Sequence, residues 1–185
     1  MSAPTIERFH GRTARNRVAT LVAATRPAVL TASVLPVITA GALCWRTANE
    51  TPSMLLLTAA VVAIALIHAG ANVLNDYFDA VSGNDANNTG RVYPFSGGSR
   101  FIQNDILSEN DMFQLGASLL VRGAMLGLVI TWASSPLLLA VGIIGCVLAV
   151  IYSAPPCLAC RGLGDVVIAI CFGILPVIGT QLMLT

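Results

Sequence analysis

Lysine is absent from this chain of 185 residues, and charged residues of every kind are scarce. Only 10% of the residues are charged, whereas an ordinary soluble domain has about 25%. Hydrophobic residues make up 56% of the chain, and the net charge of +1 gives no general argument for nucleic acid as a partner. These scarcities argue against an ordinary soluble domain and predict an integral membrane protein that lies mostly in lipid.

The ten basic residues are all arginines, and half of them lie near the start of the chain. These are Arg8, Arg12, Arg15, Arg17 and Arg26. A basic start before an apolar run is typical of a signal peptide, but the run over residues 27–45 is 19 residues long, against roughly 7–15 in a signal peptide. We therefore interpret residues 1–25 as a basic cytoplasmic segment and the run as a retained first membrane helix.

Long uncharged tracts predict five membrane helices, because a spanning helix needs about 20 mostly apolar residues. The predicted helices cover residues 27–45, 51–75, about 111–132, about 136–152 and 166–185. The expected fold is all-α, a polytopic transmembrane helix bundle over residues 26–185. Five helices with no polar tail after Thr185 lead us to expect an incomplete protein.

The arginines also predict an orientation, because cytoplasmic loops carry an excess of basic residues. With the amino terminus in the cytoplasm, eight of the ten arginines lie on that side and only Arg46 lies on the other. A polar loop over roughly residues 81–110 then faces the cytoplasm, and its composition predicts irregular structure. The expected location is the inner (cell) membrane of a bacterium.

One face of the second predicted helix is polar near its cytoplasmic end. At about 100° per residue, four side chains fall within roughly 60° of one another, and Asp76 lies at the edge of this stripe. The four are His68, Asn72, Asn75 and Asp79. Ionisable groups at membrane depth cost about 2.5–3.5 kcal/mol each, so they normally face an interior cavity.

Oxygen ligands of this kind suit Mg²⁺, which prefers one or two carboxylates, several waters and substrate phosphates. The stripe therefore predicts a magnesium site. The alternative interpretation is that Asp76 and Asp79 only mark the membrane boundary.

The polar loop contains the run Ser96-Gly97-Gly98-Ser99-Arg100, with Asp85 and Arg91 before it. Its backbone N–H groups and guanidinium are typical of a phosphate cradle, although a solvated turn explains the run at least as well. Beside a metal-type cluster on the same side of the membrane, the run fits an anionic diphosphate substrate.

The five cysteines are an odd number and lie mostly within apolar segments. We expect them to be small packing residues rather than a disulfide framework. Cys157 and Cys160 have the spacing of a metal or redox pair, but a single such pair is weak evidence, and packing at a helix end is the expectation.

Four sequence features occur in the same order as in one known family. They are Arg26-Pro27, then Asn75-Asp76-Tyr77-Phe78-Asp79, then Gly97-Gly98-Ser99-Arg100, and finally Tyr152-Ser153 followed by Gly162-Leu163-Gly164-Asp165. Together they resemble the UbiA superfamily of intramembrane prenyltransferases, and the branch with the 1,4-dihydroxy-2-naphthoate prenyltransferases is the most similar. The resemblance extends from about Arg26 to Thr185.

This resemblance implies nine membrane helices around a central cavity, of which about five are present here, and two aspartate-rich motifs that hold Mg²⁺ and a prenyl diphosphate. Asn75 and Asp79 resemble the metal ligands of the first motif, with Asp76 in a supporting role. Arg100 resembles a diphosphate contact, as does Arg91. The other residues that the resemblance places at the substrate site are Arg26, Asn72, Tyr152 and Arg161. The residues implied in catalysis are Asp76, Asp79 and Arg100.

The chain departs from the family pattern at three places. Gly83 stands where a third aspartate is frequent, and Arg161 follows a segment in which the family often has a lysine. The second aspartate motif, which lies beyond the fifth helix in the family, is absent.

The resemblance implies Mg²⁺-dependent transfer of a polyprenyl group from an allylic diphosphate to an aromatic quinone precursor, 1,4-dihydroxy-2-naphthoate or 4-hydroxybenzoate, in the synthesis of menaquinone or ubiquinone. Membrane lipid is the other expected partner. Two alternatives stay open: a small membrane transporter or channel whose polar stripe lines an ion path, and an inactive truncated remnant of the enzyme.

Overall fold

The computed structural model describes residues 14–47, 53–84 and 98–185. All regular secondary structure in these ranges is helical, which confirms the predicted fold class. Arg91 and Asp85 lie outside the described residues, as do Ser96 and Gly97 of the predicted phosphate cradle.

Seven α-helices follow one another along the described chain. They are α1 (Ala14–Ala24), α2 (Thr31–Thr47), α3 (Met54–Val81), α4 (Glu109–Ala133), α5 (Leu138–Ile151), α6 (Gly164–Ile168) and α7 (Leu175–Leu184). A 3₁₀ turn, Pro27–Leu30, leads into α2, and π-helical turns, Ala169–Ile174, join α6 to α7. A second 3₁₀ turn, Ala159–Arg161, precedes α6.

Serine caps set where the two longest helices begin. The Ser53 hydroxyl accepts a hydrogen bond from Leu56 N at 3.3 Å before α3. Before α4, Ser108 and Asp111 form a reciprocal capping box, in which each side chain accepts from the other residue's backbone N–H. Each cap satisfies backbone donors that have no partner within the helix, and the polar loops therefore end at these serines.

Four helical segments are long and apolar enough to cross a membrane, in agreement with four of the five predicted helices. They are Pro27–Thr47, Met54–Val81, Glu109–Ala133 and Gly164–Leu184. The remaining one, α5, has 14 residues, and at 1.5 Å per residue it extends only about 21 Å against a hydrocarbon core of about 30 Å. The predicted fourth helix is therefore present but shorter than a full span.

Glycines allow α3 and α4 to approach closely. A Cβ atom added at Gly70 of α3 would lie 2.7 Å from Leu120 N and 2.8 Å from Gly116 O of α4. A Cβ added at Gly123 would lie 3.0 Å from Ala63 O. Small residues at such contacts are typical of membrane helix pairs. In lipid the hydrophobic effect does not drive helices together, so they associate through close packing.

The outer surface of the bundle is apolar, as a lipid environment requires. Trp132 is 91% exposed and Leu55 is 79% exposed, although both are large hydrophobic residues. A soluble protein rarely shows large contiguous patches of this kind, so the exposed apolar side chains support a membrane location.

The first helix packs against the end of the bundle that carries the polar loop. Ala24 forms a buried cluster with Val73 of α3, Phe101 of the loop and Met112 of α4. The end of the predicted amino-terminal segment is thus helical and in contact with the membrane domain, while the domain boundary at residues 25 and 26 stays a prediction.

The expectation that the cysteines serve only in packing is wrong for one pair. Cys157 and Cys160 form a disulfide, with their Cα atoms 5.3 Å apart. The chain turns tightly after α5, where Leu158 N donates to Ile151 O and Ala159 N donates to Tyr152 O. This turn brings the two thiols together, and a C-x-x-C spacing alone does not reveal it. Cys44, Cys146 and Cys171 are free.

The α3–α4 contact predicts that two glycine substitutions change the melting temperature by different amounts. Gly70→Ala should lower the apparent melting temperature in detergent by several degrees, because its methyl group meets backbone atoms and overpacking costs about 1–3 kcal/mol. Gly127→Ala in α4 is the matched control, since its Cβ meets nothing within 4 Å and helix propensity favours alanine. Equal melting temperatures for the two variants would contradict this account of the contact.

Candidate functional site

Asp76 on α3 is the most buried charged residue of the site, with 2% of its surface exposed. One carboxylate oxygen forms an ion pair with the Arg26 guanidinium. The other accepts hydrogen bonds from the backbone N–H of Ser99, at 3.0 Å, and from the Ser99 hydroxyl. A buried charge is costly unless it is paired and hydrogen-bonded, and here both oxygens have partners.

Asn72, one turn earlier on α3, binds the residue that precedes Arg26 in the chain. Its Nδ2 donates to the backbone oxygen of Thr25 at 3.2 Å. Arg26 follows Thr25 and has a left-handed backbone, with φ of 54°. Asn72 and Asp76 therefore fix the bend between α1 and the first membrane span through two neighbouring residues, and the bend directs Arg26 towards α3.

Asn75 and Asp79 form a second polar cluster on the predicted stripe. Asn75 Nδ2 donates to Asp79 Oδ2 at 2.9 Å and to the Ser153 hydroxyl at 2.7 Å. Asn84 Nδ2 donates to Asp79 Oδ1 at 3.2 Å. The structure thus joins the end of α3 to the segment that follows α5, 78 residues later in the chain.

These contacts leave metal-ligating oxygens available. A carboxylate accepts only, so the Asn75 amide must turn its nitrogen to Asp79, and its carbonyl oxygen makes no hydrogen bond within the described part of the chain. Each Asp79 oxygen accepts one described hydrogen bond and keeps a further lone pair. Two such oxygens fit Mg²⁺, which completes its six ligands with waters and substrate phosphates. No group of three His, Cys, Asp or Glu able to hold a metal occurs in the described ranges.

A cavity of about 590 Å³ lies between the helices. Most of its wall is aliphatic, from α3, α4, α5 and the segment from α6 to α7. Polar side chains line it at the end where the loops gather, which we call the polar mouth: Arg26, Asn72, Asn75 and Tyr152. An apolar chamber with a few convergent polar groups is the usual form of a small-molecule site.

Several residues around the polar mouth have unusual backbone conformations. Arg26, Arg100 and Cys157 have φ of 54°, 57° and 52°, although none of them is glycine. Each such residue costs of order 1–3 kcal/mol, and the strain is tolerated where the surroundings over-determine it, as at ligand sites. Arg100 directly follows Ser99, so its strained position is held by the bonds from Ser99 to Asp76.

Tyr152 caps α5 at the polar mouth. Burial raises the pKa of its hydroxyl, the Asp79 and Asp165 carboxylates add to the increase, and Arg26 opposes it. The group is therefore a neutral hydroxyl donor near neutral pH. It makes no hydrogen bond to any described residue, so its proton is available to a ligand.

The structure does not place every predicted site residue in the cavity. Arg161 donates from Nε to the backbone oxygen of Pro156 at 2.9 Å, and it is not among the described residues that line the cavity. Ser99, predicted as part of a phosphate cradle, uses its N–H and hydroxyl to bind Asp76 instead.

Sequence reasoning missed the partners of the stripe, chiefly Ser153 and Thr25. Ser153 belongs to the Tyr152-Ser153 feature, so it could have been found by asking which polar residue from another part of the chain reaches Asn75. Thr25 contributes its backbone oxygen, a group that every residue has, so the sequence gives no sign of this contact.

Fold and site together define a membrane-embedded helix bundle whose apolar cavity opens at a cluster of amides, carboxylates and guanidinium groups. Residues 33–185 match the model of the UbiA prenyltransferase family. The chain belongs to the UbiA prenyltransferase family, which confirms the resemblance found in its sequence motifs.

Curated relatives agree with this assignment. The chain is 32% identical over 164 residues to the 1,4-dihydroxy-2-naphthoate octaprenyltransferase of Mycobacterium tuberculosis, a match that covers 86% of this chain and 52% of that protein. It is 33% identical over 160 residues to UbiA prenyltransferase domain-containing protein 1 of Dictyostelium discoideum, which covers 83% of this chain and 46% of the relative. The chain spans about half the length of the curated relatives it matches.

The contact between the loop and Asp76 predicts that alanine substitution at two glycines of positive φ lowers the melting temperature by different amounts. A Cβ added at Gly98 would lie 2.8 Å from Asp76 Oδ1 and 3.3 Å from an Arg26 nitrogen, whereas at Gly83 it meets nothing within 4 Å. We expect Gly98→Ala to lower the melting temperature further than Gly83→Ala, by the equivalent of roughly 1–3 kcal/mol. Backbone strain is common to both variants, so equal melting temperatures would contradict the proposed contact.

The raised pKa of Tyr152 predicts that the stability of the protein depends on pH in the alkaline range. Its folded pKa lies above the unfolded value of about 10, so its stabilising effect is complete below pH 10 and is lost as the pH rises through the folded pKa. Between about pH 9 and 11, the melting temperature of wild type should therefore fall more steeply than that of Tyr152→Phe. Parallel curves would show that burial does not perturb this hydroxyl.

Proposed function

We propose that the protein carries out Mg²⁺-dependent transfer of a polyprenyl group from an allylic diphosphate to an aromatic quinone precursor. The observation that carries this proposal is the Asn75–Asp79 pair, whose oxygens stay available where Asn75 lines the polar mouth of an apolar cavity. Membership of the UbiA prenyltransferase family supports the reaction class.

Asn75 and Asp79 would hold the metal. When bound, Mg²⁺ neutralises negative charge that develops on the leaving diphosphate. Ser153 and Asn84 keep the two ligands in place through their hydrogen bonds, which limits the reorganisation needed during the reaction.

Arg26 and Arg100 are the described guanidinium groups that would contact the diphosphate, and Arg91 is proposed for the same task from sequence alone. Such donors stabilise charge on a leaving phosphate most strongly where water is excluded. Asp76 contributes by position: its carboxylate is engaged by Arg26 and Ser99, so it orients the guanidinium and the loop instead of binding metal. Asn72 secures the same bend.

The aliphatic wall of the cavity would receive the polyprenyl chain. As the bond between carbon 1 and the diphosphate oxygen breaks, positive charge spreads over the allylic carbons. Apolar walls keep water from capturing that cation before the aromatic ring attacks it. Tyr152 offers a neutral hydroxyl at the polar mouth, where it would donate to the diphosphate or to the acceptor.

The acceptor is proposed from the name of a relative. A protein 32% identical to this chain is a 1,4-dihydroxy-2-naphthoate octaprenyltransferase, which favours 1,4-dihydroxy-2-naphthoate and menaquinone synthesis over 4-hydroxybenzoate and ubiquinone synthesis. The location would be a bacterial cell membrane, with the polar mouth on the cytoplasmic side because most arginines lie there.

A transporter or channel is the rival function. It requires polar groups along a path through the membrane, but Arg26 is the one charged residue among the described residues that line the cavity, it lies at one end, and most of the remaining wall is aliphatic. The geometry therefore favours the transferase.

Asp79 provides the decisive test in the complete gene product, reconstituted in liposomes with Mg²⁺, a polyprenyl diphosphate and 1,4-dihydroxy-2-naphthoate. Asp79→Asn should reduce kcat by at least about 100-fold, because it removes a metal-binding charge at the leaving group. Asp105→Asn is the matched control: Asp105 is exposed, and asparagine tolerates its positive φ, so turnover should stay within about two-fold of wild type.

Chelation of Mg²⁺ with EDTA should abolish wild-type turnover, and added Mg²⁺ should restore it. Undiminished turnover by Asp79→Asn, or turnover in EDTA, would remove the metal site from the mechanism. Ion flux without any dependence on diphosphate would favour the channel instead.

A further inference from the structure

His68 lies on α3, seven residues before Asn75, and is 4% exposed. At 1.5 Å per residue, it is about 10 Å deeper in the bundle than the proposed metal ligand. It lines the same cavity. Neither metal binding nor diphosphate binding, as proposed above, uses this side chain.

The Ser33 hydroxyl contacts His68 Nδ1, and its own hydrogen bond bears on which nitrogen of the ring carries a proton. A hydroxyl has one hydrogen, and the Ser33 hydroxyl donates it to the backbone oxygen of Leu30 at 3.0 Å. Ser33 Oγ also lies 2.9 Å from His68 Nδ1. We assign the serine hydrogen to Leu30 O, so that Nδ1 is the donor in the contact with Ser33 and the neutral ring carries its proton there.

The second nitrogen, Nε2, is then an unprotonated acceptor. It lies on the edge of the ring opposite Ser33, and no described residue donates a hydrogen bond to it. Because His68 lines the cavity, a hydrogen-bond donor from a ligand in the cavity would fit this position.

Phe172 packs against the ring of His68 in the cavity wall. Its ring centroid lies 4.4 Å from that of His68, at an interplanar angle of 36°, and it lines the same cavity. Phe172 belongs to the π-helical turns Ala169–Ile174. The π-helical conformation is rare in proteins, and where it occurs it frequently lies at a functional site. An aromatic acceptor would find there a ring to pack against and a nitrogen that accepts a proton.

We propose that His68 Nε2 takes the proton of a hydroxyl group on the aromatic acceptor and thereby makes the ring carbon nucleophilic. This assignment rests on the proposed prenyl transfer and adds a general base to it. His68 contacts the substrate directly, whereas Ser33 is a positioning residue that fixes the tautomer.

The proposed step balances in protons and electrons. The acceptor O–H bond breaks and its proton passes to Nε2, leaving an oxyanion whose electron pair is shared with the ring. That pair forms the new bond to carbon 1 of the prenyl group, while the electrons of the carbon–oxygen bond leave with the diphosphate. The attacked carbon then loses its proton to the leaving diphosphate, or its carboxylate as CO₂; the electron pair of the broken bond restores the aromatic ring, and Nε2 returns its proton to the oxygen.

Dimensions along α3 agree with this arrangement. The diphosphate would lie at the level of Asn75 and Asp79, and the hydroxyl of the acceptor about 10 Å deeper, at His68. The reacting carbons then lie between the two levels, within the cavity that both sites share. The alternative role for His68 is a purely structural contact between α2 and α3 through Ser33.

The test compares two acceptors in the complete gene product. One is the acceptor that wild type turns over, 1,4-dihydroxy-2-naphthoate or 4-hydroxybenzoate. The other is a ring-fluorinated analogue whose hydroxyl is already ionised at the assay pH. His68→Gln should lower kcat by about 10²- to 10⁴-fold with the first acceptor, the usual contribution of a general base. With the ionised analogue the loss should shrink to less than about 10-fold, because no proton needs to be removed.

Thr180→Val is the matched control, since Thr180 is buried, lines the cavity and donates only within α7, to Pro176 O at 2.7 Å. Whatever activity it loses should be lost equally with both acceptors. Equal losses with both acceptors in His68→Gln as well would show a structural role and overturn the proposal.

Ser33→Ala carries the same test if His68→Gln does not fold. It removes the partner that fixes Nδ1–H and supports the charged ring, so kcat should fall about 10-fold with the unactivated acceptor and less with the analogue. An unchanged ratio between the two acceptors would overturn the assignment. Failure of the general base is distinguishable from failure of the proposed function, because in the latter case wild type itself transfers no prenyl group to either acceptor.

Discussion

The buried carboxylate of Asp76 is the group on which the polar end of this membrane protein depends. A charge with 2% exposure is stable only if its partners stay in place, and removing one partner of such a pair typically costs about 3–5 kcal/mol. Its partners come from two distant parts of the chain, Arg26 before the first membrane span and Ser99 in the loop before α4. One side chain thus holds three segments together, and it fixes the position of Arg26, which lines the cavity.

Helix α3 organises the site because the polar residues along one face bind two different parts of the chain. Asn72 and Asp76 bind the chain around Thr25 and Arg26, while Asn75 and Asp79 bind each other and Ser153. The first pair is used for architecture and the second keeps oxygens available. Within two turns of helix, the same motif thus supplies both the contacts that fix the chain and the pair proposed to hold the metal.

Much of the fold could be predicted from the pattern of apolar tracts. Four predicted spans were found as helices of sufficient length, and the fifth, α5, was found as a shorter helix. The prediction for α5, about residues 136–152, is close to the observed Leu138–Ile151, but it took the helix for a full membrane span, which 14 residues do not make. Turns decide where α5 ends, and the same turns bring Cys157 and Cys160 into a disulfide that their spacing left undecided.

Helical periodicity alone determined that His68, Asn72, Asn75 and Asp79 share a face, because a backbone repeat of 100° per residue depends on nothing outside the helix. Tertiary structure decided what each of them does. It paired Asp76 with Arg26, brought Ser153 to Asn75, and placed the Ser33 hydroxyl 2.9 Å from His68 Nδ1. The Ser33–His68 partners are 35 positions apart in the chain and the Asn75–Ser153 partners are 78 apart, and local sequence carries no record of partners so distant.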